Sequence, residues 1–180
     1  MAISSESRRE TVAIVTGGSF PTGRQVAHGL ARWNWPVVVV YLTQKRAVDA
    51  AIAEILRADG NVVAVRADLA DDLDVARLFA ESKAAFGGVD VVAHTTSEPA
   101  ALLLQHAARH VRRRGTIVSV CAADGVTPVV ARQLRERDIS VGRAPPDEML
   151  GFLDEWRRRY CRVHDACHSG AQLPRPDTRA

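Results

Sequence analysis

The sequence predicts an α/β fold, with a doubly wound, mostly parallel sheet of about six strands between two layers of helices, a three-layer αβα arrangement. Short apolar runs, rich in valine, alternate along the chain with longer segments whose apolar residues recur at helical spacing. The runs do not alternate between apolar and polar residues, which is typical of strands that helices cover on both faces. Strands and helices in alternation favour a parallel sheet.

The first strand and helix suggest a binding site. Residues Thr11–Val15 form an apolar run that we expect to be a buried strand, and the turn Thr16–Ser19 contains two glycines. From Gly23 the apolar residues follow a helical period, with Val26 and Leu30 on one face. A strand that enters a helix through glycines presents free backbone N–H groups beside the positive end of the helix, which suits a pyrophosphate. The alternative is a tight turn that needs glycine for its geometry alone.

The next strands and helices follow in order from the same patterns. Glycines at Gly60 and Gly87 are expected to end two of the helices. Further strands are predicted at Pro36–Tyr41, Asn61–Arg66 and Val89–Thr96. Helices are predicted at Ala47–Ala58, Leu73–Phe86, Ala100–Arg114, Val126–Arg137 and Asp147–His164.

The predicted helix Ala100–Arg114 has more apolar residues than one core-facing stripe can hold. Leu102–Leu104 are three leucines in a row, so at least one of them should lie off the buried face. An uncovered apolar face of this kind usually marks an interface. We therefore expect a homodimer, or a complex with a related protein.

Length and composition indicate one globular domain. The chain has 180 residues, of which 47% are hydrophobic and 25% are charged. No apolar run approaches the ~20 residues of a membrane span, and the N-terminus lacks the apolar segment of a signal peptide. We expect a mobile leader at 1–10, one domain at 11–168, a disordered tail at 169–180, a cytoplasmic location and no membrane partner.

The charged and metal-binding residue types favour neither nucleic acid nor metal as a partner. The net charge is +3, and the clusters Arg112–Arg114 and Arg157–Arg159 are both predicted to end helices, where cations complement the helix dipole. We therefore expect no nucleic-acid partner. Cys161, His164 and His168 share a helix stripe but match no zinc motif, so we expect no metal site.

The residues Thr16, Gly17 and Gly23 fit the pattern T-G-x-x-x-G-x-G, and here the chain resembles the short-chain dehydrogenase/reductase family. The resemblance covers about Thr11–Pro146 and implies a Rossmann-like fold, a nicotinamide dinucleotide cofactor and oxidoreductase chemistry. Pro21 stands at the middle glycine of the pattern. Because proline has a fixed φ and no N–H, it cannot donate a hydrogen bond to a phosphate.

The segment after the second strand favours NADP over NAD as the cofactor. In a Rossmann unit that binds NAD, an acidic residue at the end of this strand holds the ribose hydroxyls. Here the strand runs on into Lys45 and Arg46 with no acid between, so a 2′-phosphate would find cations nearby. The alternative is that both cations are first-turn helix residues on a solvent-exposed face.

The segment Ala67–Leu69 resembles the family's short acidic motif, whose aspartate contacts the adenine ring, and Asp68 is its match. The alternative is that Asp68, Asp71 or Asp72 caps the next helix. The cofactor-binding residues that follow from the opening turn, the cations and this motif are Gly17, Ser19, Thr22, Gly23, Lys45, Arg46, Asp68 and Leu69.

The second half of the chain departs from the family pattern. Where the family has N-N-A-G after the fourth strand, this chain has His94–Ser97, and one helix before the fifth strand is missing. The segment Gly115–Gly125 resembles the fifth strand, with Ala122 at the catalytic serine, and residues 138–146 resemble the sixth. Neither of the two tyrosines has a lysine four residues later. Because the family moves its proton with that tyrosine and lysine, this chain cannot run the reaction with those residues.

Three other side chains, His94, Cys121 and Asp124, are expected at the carboxyl ends of adjacent strands, where open α/β sheets bind ligands. They could be catalytic toward a small-molecule substrate, or they could be replacements tolerated after catalysis was lost. Two hypotheses therefore stay open. One is a shortened NADP-dependent oxidoreductase, or a relative that uses the pocket for another reaction. The other is a non-catalytic member that acts as a scaffold or partner subunit.

Overall fold

The computed structural model describes residues 10–98, 100–121 and 126–168, with side chains described as far as Arg159. Residues 1–9 of the expected leader, the expected tail at 169–180, Ala122 and Asp124 lie outside the described residues. The side chains of the stripe from Cys161 to His168 lie outside them as well. The strands and helices below belong to the described part of the chain.

Strands and helices alternate along this part of the chain, six of each, as the sequence predicts. None of the described helices combines the length and the apolar character that crossing a membrane requires. The elements are β1 (Ala13–Val15), α1 (Pro21–Ala31), β2 (Val37–Tyr41), α2 (Lys45–Arg57), β3 (Val62–Arg66), α3 (Asp72–Phe86), β4 (Val89–His94), α4 (Ala101–His110), β5 (Val111–Ser119), α5 (Pro128–Glu136), β6 (Ser140–Arg143) and α6 (Met149–His168).

The strands form one parallel sheet in the order β3-β2-β1-β4-β5-β6, which confirms the predicted doubly wound architecture. The chain builds outward from β1 to β3, crosses back to β4, and builds outward on the other side. Val15 at the end of β1 pairs with Val39 of β2 and with Ala93 of β4, so these strands end side by side. The order reverses between β1 and β4, and such a point opens a crevice at the carboxyl ends of the strands.

Successive residues of β1 contribute to two separate cores, one on each face of the sheet. Ile14 belongs to the core that contains Leu78 of α3 and Leu103 of α4. Val15 belongs to the core that contains Leu30 of α1 and Leu153 of α6. Because both faces are buried, the strand has no polar face, and its sequence is an unbroken apolar run. The result is the predicted three-layer arrangement.

The strand β5 begins where the sequence predicts a helix. We expected one helix over Ala100–Arg114, but α4 ends at His110 and Arg112–Arg114 lie in β5. The carboxylate of Asp90 on β4 accepts a hydrogen bond from Arg112 Nη1 at 2.7 Å, in a largely buried ion pair. This ion pair and the pairing with β4 outweigh the helical spacing of the apolar residues. The arginines therefore open a strand and do not complement a helix dipole.

The second arginine cluster, Arg157–Arg159, also fails to end a helix and lies in the interior of α6. Arg157 donates to Asp154 Oδ1, and its guanidinium lies 4.9 Å from the centre of the Trp33 ring. Arg159 pairs with Glu155 one turn earlier in the helix. The ion pairs at helical spacing support the helix along its length and not at its end, and the cation–π contact ties α6 to the segment that follows α1.

The leucines of α4 do not form the uncovered face that the sequence suggests. Leu103 and Leu104 are 0% and 4% exposed, and Leu102 is partly buried against the same core. The helix contacts α3 on one side and α5 on the other, in addition to the sheet. More than one stripe of the helix is therefore buried, and the premise for an interface on this face was wrong.

Candidate functional site

A cleft opens at the carboxyl end of the sheet, beside the point where the strand order reverses. It encloses about 520 Å³ of space that is continuous with solvent. Three of the residues expected to bind a cofactor, Gly17, Ser19 and Leu69, line it. The other lining residues are Phe20, Val40, Tyr41, Leu42, Thr43, Ala67, Thr96 and Glu98.

Glycine is required in the turn between β1 and α1 for steric reasons. Gly17 has φ +69°, and a Cβ there would lie 2.7 Å from Thr95 Oγ1 and equally close to a Thr96 methyl carbon. A Cβ on Gly23 would lie 2.2 Å from the carbonyl oxygen of Gly17. The turn thus packs against the end of β4, and α1 packs directly on the turn. Both glycines of the matched pattern are needed for this close approach.

The start of α1 presents backbone N–H groups that have no acceptor within the described chain. Two amides of the turn are used internally, because Gly18 N–H donates to Val40 O and Phe20 N–H donates to Gly17 O. Pro21 is the first residue of α1, a position where proline fits the helix. Within the described residues, the amides of Gly17, Ser19, Thr22 and Gly23 have no acceptor. Such donors at a helix N-terminus suit a phosphate group.

The cations that the sequence assigns to the cofactor lie beyond the cleft wall. The helix α2 begins at Lys45, two residues earlier than predicted, so Lys45 and Arg46 are in its first turn. Lys45 Nζ donates to both carboxylate oxygens of Asp49, at 2.8 and 2.7 Å, and this contact raises the pKa of Lys45. Arg46 is exposed. The structure therefore matches the alternative placement on a solvent-exposed helix face, one short loop from Thr43 in the cleft.

The aspartate of the short acidic motif is not the cap of α3. Asp71 is the cap, and its carboxylate accepts from the N–H groups of Leu73 and Asp74. Asp68 Oδ1 accepts instead from Ala70 N–H at 2.9 Å, so it stabilises the turn before the cap. The neighbouring Leu69 lines the cleft. The capping alternative is therefore correct for Asp71 and wrong for Asp68.

His94, the last residue of β4, is buried beneath the cleft with a side chain bonded at both nitrogens. The residue is 1% exposed. Its Nδ1 lies 2.9 Å from Thr16 Oγ1, and its Nε2 lies 2.9 Å from the carbonyl oxygen of Glu98. Burial lowers the pKa of His94, and the contact with Glu98 opposes that shift more weakly. The ring therefore has no free nitrogen to offer a substrate.

Cys121 lies close to the same carbonyl group. Its thiol is 3.1 Å from Ser119 Oγ and donates to Glu98 O at 3.9 Å. The structure thus brings His94 and Cys121 together at the loop that follows β4, while Asp124 lies outside the described residues. Within the described part of the chain, no three His, Cys, Asp or Glu side chains are grouped as metal ligands would be.

Sequence reasoning missed several residues that form the cleft, above all Glu98 and Phe20. Tyr41 and Thr43 also line it, at the end of β2. Their common feature is position, because each ends or follows a strand at the carboxyl edge of the sheet. That feature could have identified them once the strands were placed, since ligands bind at this edge.

Comparison with known proteins gives consistent relatives for this fold. A hydroxynaphthalene reductase-like protein of Metarhizium guizhouense is 35% identical over 95 residues, which cover 51% of this chain and 36% of the relative. A 3-oxoacyl-[acyl-carrier-protein] reductase of Synechocystis is 37% identical over 81 residues, or 45% of this chain and 33% of the relative. The chain therefore spans about a third of the length of these curated relatives.

Solved structures and a family model agree with these relatives. A short chain dehydrogenase from Burkholderia cenocepacia, crystallised with NADP, superposes with a TM-score of 0.64 at 26% identity, covering 77% of this chain and 74% of that one. A short-chain dehydrogenase from Oenococcus oeni gives the same TM-score at 16% identity, covering 81% and 89%, which shows the shared fold. The family model for short chain dehydrogenases matches residues 11–101. This chain therefore belongs to the short chain dehydrogenase family of oxidoreductases.

Proposed function

We propose that this protein binds a nicotinamide dinucleotide, with the diphosphate at the start of α1 and the adenosine in the cleft. The observation that supports this most is the set of amides at Gly17, Ser19, Thr22 and Gly23, which have no acceptor among the residues that the structure describes; two of them belong to residues that line the cleft. The glycines let the turn pack closely against the end of β4 and the start of α1, which places these amides at the N-terminus of the helix. The apolar walls, Val40, Ala67 and Leu69, suit an adenine ring.

The preferred form of the cofactor is NADP(H). The segment from Tyr41 to Gln44 contains no carboxylate that would hold the ribose hydroxyls of NAD. Because Lys45 is paired with Asp49, Arg46 is the one of these two cations that we assign to a 2′-phosphate. The structural neighbour from Burkholderia cenocepacia was crystallised with NADP, in keeping with this preference.

The chemistry of the family does not extend to this chain in its usual form. A bound nicotinamide supplies a hydride, but the accompanying proton needs a group of matched pKa near the substrate oxygen. Ala122 stands at the serine position, and no tyrosine and lysine are paired at the family's spacing. His94 has both nitrogens engaged, which leaves Cys121 and Asp124 as candidate groups for any reaction of a small-molecule substrate. We therefore favour a dinucleotide-binding member without the family's carbonyl-reducing machinery.

The alternative role is that of a scaffold or a partner subunit. A protein that keeps the fold but lacks the serine, tyrosine and lysine could pair with a second copy or with a related protein. This alternative predicts that the protein folds without binding a dinucleotide.

Calorimetric titration with NADPH and NADH tests the proposal. We expect weak binding of NADPH and still weaker binding of NADH. Arg46→Ala should weaken NADPH binding by roughly five- to tenfold, since one charge-assisted contact is worth about 1–1.4 kcal/mol, and should leave NADH unchanged. Arg57→Ala, at the other end of α2, is the matched control and should bind both ligands as the wild type does. Equal affinity for NADPH in all three proteins would contradict the preference, and no binding at all would favour the scaffold role.

A further inference from the structure

His94 lies where the phosphate-binding turn meets the loop that follows β4. On one side its ring contacts Thr16, the residue before Gly17. On the other side it contacts the backbone carbonyl of Glu98, a residue that lines the cleft. The ring thus connects the two walls from below, at a position where it is almost fully buried.

The hydrogen bonds around His94 are compatible with one tautomer of the neutral ring. A carbonyl oxygen has no proton to give, so Nε2 must carry the proton and donate it to Glu98 O. The lone pair on Nδ1 then accepts from the Thr16 hydroxyl. Thr16 Oγ1 in turn accepts from Thr95 N–H at 3.2 Å, and Thr95 Oγ1 donates to Thr16 O at 2.7 Å. Both ring nitrogens therefore have a hydrogen-bond partner, and donor and acceptor are fixed in each of these hydrogen bonds.

These hydrogen bonds set the distance between the two walls of the cleft, the phosphate-binding turn and the loop after β4. The methyl group of Thr96 packs against Gly17. The distance between the loop after β4 and the phosphate-binding turn therefore depends on both residues keeping their positions. The carbonyl of Glu98 also accepts from the Cys121 thiol, which links the end of β5 to the same point. Loss of the bond from His94 would leave this carbonyl with the long contact from the Cys121 thiol, at 3.9 Å, and so would loosen the Glu98 wall while leaving the turn intact.

We propose that His94 is a positioning residue for the cleft, held as the Nε2–H tautomer, and that its bond to Glu98 O fixes the wall formed by Thr96 and Glu98 against the phosphate-binding turn. The expected effect on ligand affinity rests on the proposed dinucleotide binding. The expected tautomer of the His94 ring and the expected order of the wall formed by Thr96 and Glu98 do not depend on dinucleotide binding.

Two substitutions separate the two nitrogens of the ring. The amide of His94→Gln reaches about as far as Nε2 and can still donate to Glu98 O, whereas the shorter His94→Asn can replace Nδ1 but cannot reach that carbonyl. His110→Gln is the matched control, since His110 is exposed and precedes β5 at the opposite end of the sheet.

The first measurement is the ¹⁵N NMR spectrum of the histidine rings in the wild-type protein, with the His94→Gln spectrum identifying the His94 signals. We expect Nε2 protonated and Nδ1 unprotonated at neutral pH. The second is backbone ¹⁵N relaxation, in which Thr96–Glu98 should show exchange broadening in His94→Asn but not in His94→Gln or His110→Gln. NADPH affinity should fall by at least about tenfold in His94→Asn and by less than about threefold in His94→Gln. These are orders of magnitude for the loss of the hydrogen bond from His94 to Glu98 O.

A ring protonated on Nδ1 would overturn the proposal, and so would equal loss of order at Thr96–Glu98 in the two His94 variants. If His94→Asn does not fold, the wild-type tautomer and the His94→Gln relaxation data still decide. If the wild type binds no dinucleotide, the proposed function fails, while the tautomer and the relaxation data continue to test the positioning role.

Discussion

His94 is a titratable side chain whose surroundings require the neutral ring. A second proton would have to go to Nδ1, which already accepts from Thr16 Oγ1. Burial also disfavours the charged form and lowers the pKa of His94 below its ordinary value of 6.5, and Glu98 offsets this only in part. The unfolded chain, which has no such constraint, takes up the proton more readily.

This difference predicts a stability that falls on acidification. Because the folded-state pKa is lowered, the unfolded chain binds more protons below pH 6.5, and stability is complete above that value and declines as pH drops toward the folded-state pKa. Urea denaturation between about pH 5 and 8 should show this slope in the wild type and a shallower slope in His94→Gln. The pKa of His110 is also lowered, by partial burial and then by His106 and nearby cations, so His110→Gln measures the part of the slope that is due to His110. Identical slopes in the wild type and His94→Gln would refute the prediction.

The helix α1 begins with a proline where the family pattern has a glycine. Pro21 removes one backbone donor beside the proposed diphosphate position, but it suits the first turn of the helix and restricts the unfolded chain. The remaining amides of Gly17, Ser19, Thr22 and Gly23 can still donate. The effect of this proline is therefore a trade between ligand contacts and helix stability.

Pro21→Gly should tighten NADPH binding and destabilise the fold. A hydrogen bond to a charged group is worth roughly 1.5–3 kcal/mol, or about ten- to a hundredfold in affinity, if the new N–H reaches the diphosphate. The unfolded chain gains freedom, which costs about 1 kcal/mol of stability. Pro128→Gly, at the start of α5 and away from the cleft, is the matched control and should lose stability without any change in affinity. Calorimetry and urea denaturation of both variants measure these effects, and unchanged affinity in Pro21→Gly would show that the loop donates from other amides.

The local patterns located most elements because the physics they reflect is local. Both faces of β1 and β2 are buried, so their apolar runs identify them, and Gly87 ends α3 with φ +78° as its position suggests. The pattern failed at Arg112–Arg114, where the partner that fixes the strand is Asp90 on another element. A contact between residues distant in sequence leaves no signal in helical spacing.

The candidate site was predictable to a similar extent and for the same reason. Gly17 and Gly23 follow from the turn that they must form, and Leu69 from the motif around it. The role of Glu98 depends on where the loop after β4 returns to the turn, which the sequence does not reveal. Lys45 shows the converse, because its charge was visible but its pairing with Asp49 depends on where α2 begins.

At the scale of the whole molecule, the chain shares the fold of the family, whereas we propose that it does not share the family's chemistry. The sheet, the turn and the crevice are those of the family's fold, but a shared fold does not transfer a reaction. We propose that the residues that would move the proton are replaced in this chain, so that it keeps a binding surface without the family's usual proton donor.

We therefore predict no reduction of simple ketones above the uncatalysed rate with either NADPH or NADH. The physical reason is the lack of a proton donor of matched pKa, which typically contributes about 10²–10⁴-fold to the rate. Steady-state assays on a panel of carbonyl substrates check this. Turnover that is lost in Cys121→Ala or Asp124→Ala would assign a reaction to those residues, whereas turnover that survives both substitutions and His94→Ala would refute all three as catalytic groups.

The most direct test of dinucleotide binding at the start of α1 is a titration of ¹⁵N-labelled protein with NADPH, followed through the backbone amide signals. We predict that the largest shifts occur at the unpaired amides of Gly17, Ser19, Thr22 and Gly23, with smaller shifts at Leu69 and Thr96 in the cleft. The amides of α5, which packs on the opposite face of the sheet from α1, serve as the internal reference and should not move. Shifts confined to another surface, or none at saturating NADPH, would contradict dinucleotide binding at this turn.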